Sequence, residues 1–189
     1  MSAILLTAPA IEPLTLDEAK AYLRVETSDD DDVIGALIAG ARIHVEAQTR
    51  RALITQSWRI SADCWPENGR LTVLPAPLQT LTAVRIYDFE GMPHDVDTQA
   101  FVLDKGASVL AFAPWAVPAP GRVAAGIELD VVVGYGAAAA DVLEPLRQAI
   151  RLLVAHWYEN RGITTIGHEV AVLPSTVAAL IAPYRMLSL

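Results

Sequence analysis

PLRQAIRLLVAHWYENRG, residues 145–162, decides how this chain is read, because it is either a nest of reactive groups or a helix. His156, Trp157, Tyr158, Glu159, Asn160 and Arg161 stand side by side in it, a density of hydrogen-bonding side chains that suits an active site. The apolar spacing argues otherwise. Leu143, Leu146, Ile150, Leu153 and Trp157 recur at steps of three and four, which predicts a helix from Val142 to Arg161 with one seam turned to a core. Glu144, Gln148, Arg151, Ala155 and Glu159 take the opposite side, so Glu159 is expected in solvent or paired with Arg151 or Arg161. Ala149, Leu152 and His156 share a flank. Leu152 is apolar and nearly opposite the seam, where an isolated chain has little reason to put it, so this flank is expected to meet another subunit.

Working backwards from this helix, the pattern changes. ITQSWRISAD, RLTVLP, LTAVRIYDF, AFVLD, SVLAFAP and IELDVVVGYG are short β-rich runs separated by Pro, Gly, Asn and Asp. Residues 89–92, FEGM, form the expected tight turn of one hairpin, and Pro75, Pro77, Pro114, Pro118 and Pro120 fall where strands should end.

Ahead of the β-rich runs lie two further helices. In LTLDEAKAYLRV, Thr15 and Glu18 have the spacing of a capping box, and Leu16, Ala19 and Leu23 share a face, predicting a helix over about Leu16–Arg24. TSDDDD then starts the next, with Ser28 as expected cap and aspartates in the first turn, where carboxylates suit the helix dipole. A calcium loop would need alternating oxygens, a glycine and a closing glutamate, which this run lacks. Ile34, Leu37, Ile38, Ala41 and Val45 predict a helix from Val33 to about Arg51, made narrow by Gly35, Ala36, Ala39 and Gly40. A last helix is expected after LPS, with Ser175 as cap and Val177, Leu180, Ile181 and Tyr184 on one side. The fold class is α+β: a bundle of about four helices, residues 1–52 plus 137–189, carrying an antiparallel β insertion, residues 53–136, between its second and third helices.

With 189 residues, 53% of them hydrophobic, the chain can bury one sizeable core or a core with an appended subdomain. The balance of 22 acidic to 14 basic residues gives a net charge of −8, the wrong sign for gripping nucleic acid by its phosphates. The single cysteine, Cys64, has no internal disulfide partner and sits in a turn-like segment with no evident activating base. The apolar run in MSAILLTAPAIEP is too brief to span a bilayer and lacks a basic lead, so a soluble, unexported chain with no membrane partner is expected.

GYGAAA, residues 134–139, satisfies a loose dinucleotide fingerprint but lacks the parallel strand that should follow the helix; the glycines are better suited to turning the chain out of a sheet. His156 and Glu159, three apart on a helix, can share a metal ion, and a small metal-dependent hydrolase is the alternative they define. Neither His44 nor His168 carries the surrounding pattern of a third ligand, no serine sits in a nucleophile elbow, and no cofactor is expected.

The order LTLDEAKAYLRV, DDDDVIGALIAGARIHVEAQTRRALITQSW, LPAPLQTLTAVRIYD, VVVGYG, EPLRQAIRLLVAHWYENR and LPSTVAALIAPYR resembles the head-tail connector (adaptor) family of tailed bacteriophages, including prophages and gene transfer agents. The resemblance runs over nearly the whole chain. It implies a structural protein rather than an enzyme, made in the host bacterial cytoplasm and assembled as a ring, typically of twelve copies, beneath the portal. Such a ring extends the DNA channel and offers the tail or its stopper a surface, while DNA passes without specific binding. In related adaptors the C-terminal segment docks into the portal, which here implies Ser175–Leu189, with Tyr184, Arg185, Met186 and Leu187 as the candidates.

Overall fold

A computed structural model describes residues 1–160 and 174–186. The chain forms two compact units: residues 1–10 with 55–135, built of strands, and residues 11–54 with 136–189, built of helices.

In the helical unit, α1 spans Leu16–Leu23, α2 Asp31–Thr49, α3 Glu144–Glu159 and α4 Ser175–Ile181. The expected capping box starts α1: the Thr15 hydroxyl accepts from the Glu18 amide at 3.1 Å, and the Glu18 carboxylate accepts from the Thr15 amide at 2.9 Å. Two other caps differ from expectation. Asp30, not Ser28, precedes α2, and Pro174, not Ser175, precedes α4; neither makes a side-chain cap bond. Ser28 contributes only its backbone carbonyl, which accepts from the Asp31 amide. At its other end α2 stops at Arg50, whose φ of 55° turns the chain left-handed and breaks the helical repeat.

Helix α3 starts two residues later than predicted, because Ala139–Asp141 forms a separate 3-10 turn and Leu143 takes the extended cap position. Leu143 is therefore 39% exposed and outside the seam. The buried stripe is Leu146, Ala149, Ile150, Leu153 and Val154, wider than a narrow seam because α1, α2 and α4 all pack on this helix. Ile34, Ile38, Ala41 and Val45 of α2 and Val177 and Ile181 of α4 supply the facing core. Helix α4 ends at Ile181 and tightens into a 3-10 turn, Ala182–Tyr184, where Pro183 prevents a regular continuation.

The strand unit contains β1 (Ser2–Thr7), β2 (Gln56–Ala62), β3 (Arg70–Thr72), β4 (Leu78–Tyr87), β5 (Pro93–Asp95), β6 (Phe101–Asp104), β7 (Val109–Phe112) and β8 (Ile127–Val133). One sheet has the order β1-β2-β8-β4-β5 and a smaller one β3-β7-β6, and every pairing is antiparallel. Along β8, Ile127, Leu129, Val131 and Val133 are buried and alternate with half-exposed Glu128, Asp130 and Val132, the period-two signature of a sheet with one covered face. The small sheet is held by an aromatic cluster of Trp65, Phe101 and Phe112, with ring centroids 5.0 to 5.6 Å apart. Gly69 is required beside it: at φ +65°, a Cβ there would lie 2.2 Å from the Phe112 carbonyl oxygen. The tight turn expected at residues 89–92 joins β4 to β5.

The N-terminal ten residues were expected in the bundle, within 1–52, yet they belong to the strand unit, because β1 pairs along β2 from Ser2↔Ser61 to Thr7↔Ser57. Periodicity could not announce this strand: Ala-Ile-Leu-Leu is apolar without alternation, and all six of its residues are exposed.

Candidate functional site

The side chains that looked like one cluster in residues 156–161 radiate in different directions from α3. The indole of Trp157 meets the His44 ring edge-on, with centroids 6.0 Å apart, and lies over Gly40, where an added Cβ would come within 3.6 Å of it. The narrow stretch of α2 thus admits a large ring. Tyr158 donates its hydroxyl to the Asp30 carboxylate, and the Asn160 amide lies 3.4 Å from His156 Nδ1 while donating to the His156 carbonyl at 2.7 Å. Glu159 is exposed, and Arg151 binds Glu144 and Gln148 instead of it. Arg161 and His168 lie outside the described residues. No group of three His, Cys, Asp or Glu side chains suited to a metal ion occurs among the described residues.

The flank expected to meet another subunit needs correcting at one position. Ala149 is fully buried, because it lies one turn from both Leu146 and Leu153 and so belongs to the core stripe. Leu152 and His156 are half-buried and remain on the flank.

The C-terminal candidates are tied to the end of α2. Arg51 Nε donates to the Tyr184 carbonyl at 2.6 Å, its Nη2 lies 3.4 Å from the Met186 sulfur, and the Met186 amide donates to the Thr49 carbonyl at 2.9 Å. Arg185 is exposed and reaches Gln48 at 3.0 Å. Tyr184, Arg185 and Met186 thus form a surface segment held through its backbone, while Leu187 lies outside the described residues.

Two ion-pair clusters were not evident from sequence. On the sheet, Asp130 of β8 stands between Arg59 of β2 and Arg85 of β4. Arg59 binds it through two bonds, 2.7 and 3.0 Å, and Arg85 through one of 2.9 Å and a shorter one. Hydrogen bonding from Arg59 and the charge of Arg85 hold the Asp130 carboxyl below the usual range. In the helical unit, Arg147 of α3 donates to the Pro13 carbonyl at 2.9 Å, to Glu18 at 2.7 Å and to Glu144 at 3.1 Å. Glu18 is lowered mainly by the Thr15 amide and then by Arg147, and Glu144 mainly by its bond from Arg151. These charges complete each other's shells, which makes them structural clamps rather than groups poised for proton transfer.

Residues 13–92, running from just before α1 through the β4–β5 turn, match the family described as phage gp6-like head-tail connector protein. A chain in the neck of an empty gene transfer agent particle, solved with C6 symmetry, is 26% identical with a TM-score of 0.82, covering 100% of this chain and 97% of that one. Over residues 13–92 the chain matches the head-tail connector family, and over its full length it is similar to a neck chain. The chain is also similar to a chain of the native gene transfer agent virion, at 27% identity and TM-score 0.81, and to one of the native neck with C12 symmetry, at 26% and 0.80. Both likenesses again cover 100% of this chain and 97% of the other. Among curated proteins, none matches the sequence. The matched family and the structural relatives are structural proteins of the particle neck, not enzymes, and nothing in them supports a hydrolase built on His156 and Glu159.

Proposed function

We propose that the chain is a head-tail connector that forms a closed ring of twelve copies between the portal and the tail or stopper of a phage or gene transfer agent particle, continuing the DNA channel. The observation that carries this is the full-length likeness to neck chains, with 100% and 97% coverage, one of them in a neck with C12 symmetry. A likeness spanning both units favours the same quaternary job over a shared module put to another use.

The residues are compatible with each part of the role. The C-terminal segment with Tyr184, Arg185 and Met186, and Leu187 beyond it, is the proposed portal contact. Its backbone is anchored to α2 while Arg185 is left exposed. Leu152 and His156 are proposed to meet the neighbouring copy. A net charge of −8 disfavours retention of phosphates, so DNA slides past a wall that does not bind it.

Deleting the gene from a producing strain tests the role. The expected product is filled heads and free tails that do not join, restored by the gene in trans. Normal tailed particles from the deletion strain would overturn it.

A further inference from the structure

We propose that β1 is an open pairing edge, covered in the assembled ring by a second copy of this chain. β1 lies at one margin of the larger sheet and pairs only with β2. No described strand lies on its outer side, so about half of its backbone N–H and C=O groups point away from the sheet.

An edge strand that merely ends a sheet is blunted by charge, by proline or by being very short. The opposite margin has all three features: β5 is Pro93, His94 and Asp95, three residues long, charged and missing one amide N–H. Ser2–Thr7 has none of them. Its side chains are uncharged, it runs for six residues, and Ile4, Leu5 and Leu6 are 59%, 44% and 46% exposed. Ile4 stands opposite Arg59 and Leu5 opposite Trp58, so apolar groups protrude on both faces as well as along an unpaired backbone. One margin is closed by its composition while the other is left able to accept a strand or an extended segment.

The choice of a second copy rests on the ring reading above and on charge. Copies that each carry −8 repel one another, and an uncharged strip is where they approach at least cost. A cyclic ring repeats one heterologous contact, so β1 of each copy lies along a different surface of the next; β1 against β1 would be isologous and stop at two copies.

Rings of the full chain, grown on the portal where the free chain stays monomeric, are compared for wild type, Ile4→Lys and Ile4→Thr by mass and by amide hydrogen exchange. The β1 amides should slow by roughly tenfold or more on assembly. Ile4→Lys should cut ring yield by about tenfold, and Ile4→Thr by less, because threonine keeps strand propensity. Unchanged protection of Ile127–Val133 in the free variants shows that the sheet still folds.

The proposal is overturned if β1 amides exchange as fast in the ring as in the free chain, or if folded Ile4→Lys assembles at wild-type yield. Protection appearing when portal or tail protein binds a single copy, or assembly that stops at dimers, overturns it equally. Failure of the wild-type chain to form any ring would instead contradict the ring reading, before a variant is made, and would remove this proposal with it.

Discussion

Arg51 Nε donates to the Tyr184 carbonyl oxygen at 2.6 Å, joining the end of α2 to a turn 133 positions later in the chain. The same guanidinium approaches the Met186 sulfur, and the Met186 amide returns to the Thr49 carbonyl. One side chain thus positions the segment proposed to reach the portal.

Arg51→Ala removes a charge-assisted bond to backbone and should cost about 1–2 kcal/mol in denaturant unfolding. Its larger effect is local: the Met186 amide should exchange faster and portal binding should weaken. Unchanged exchange at Met186 would show that the Arg51 bonds do not hold the segment.

Within α3, neighbouring leucines should behave oppositely. Leu153 is fully buried, so Leu153→Ala should destabilise the chain by about 2–5 kcal/mol. Leu152 is half-buried on the flank, so Leu152→Asp should leave the free chain folded, with a thermal midpoint near that of wild type, while lowering ring yield. Wild-type assembly of Leu152→Asp would remove this flank from the subunit contact.

Asp130 should make the strand unit acid-sensitive. Its folded pKa is depressed by Arg59 and Arg85, so its stabilisation is complete above the unfolded carboxyl value of about 3.9 and is lost as pH falls through the lower folded value. Asp130→Asn should flatten that part of the pH–stability curve below about pH 4 and cost about 1–3 kcal/mol at neutral pH. Equal acid sensitivity in the variant would assign the effect elsewhere, with Asp88 the other lowered carboxyl of the strand unit and Glu18 and Glu144 those of the helical unit.

The capping box gives a smaller, local prediction. Thr15→Ala leaves the Glu18 amide without its acceptor and should cost about 1 kcal/mol, read as faster exchange within α1. Glu18→Gln should retain much of the cap while losing the charge that meets Arg147 at 2.7 Å, so a double substitution with Arg147 would separate the cap from the clamp.

The parts legible in the sequence were those with local causes. Thr15 and Glu18 announce the start of α1 by spacing alone, and the helical periods of α2 and α3 follow from apolar steps of three and four. Ala149 was misplaced because a helix touched by several neighbours buries a broad stripe, whose width depends on packing that spacing does not encode. β1 was missed because a strand with no buried residue carries no alternation, and its pairing with β2 is a contact between residues fifty or more positions apart. The Arg59–Asp130–Arg85 cluster is equally non-local, set by the register Arg59↔Asp130 and by the shifted pairing of β4. Its one sequence signal was a pair of arginines and an aspartate at alternating positions of apolar strands, which could have marked an ion-paired face.

The most direct test of the central claim is a map of the neck of the particle made by a strain carrying this gene, resolved well enough to trace side chains. The account predicts twelve copies of this chain in a closed ring at the head-tail junction, with β1 of each against the next copy and residues 184–187 turned to the portal. A neck traced entirely by other chains, or this chain bound singly away from the junction, would contradict it.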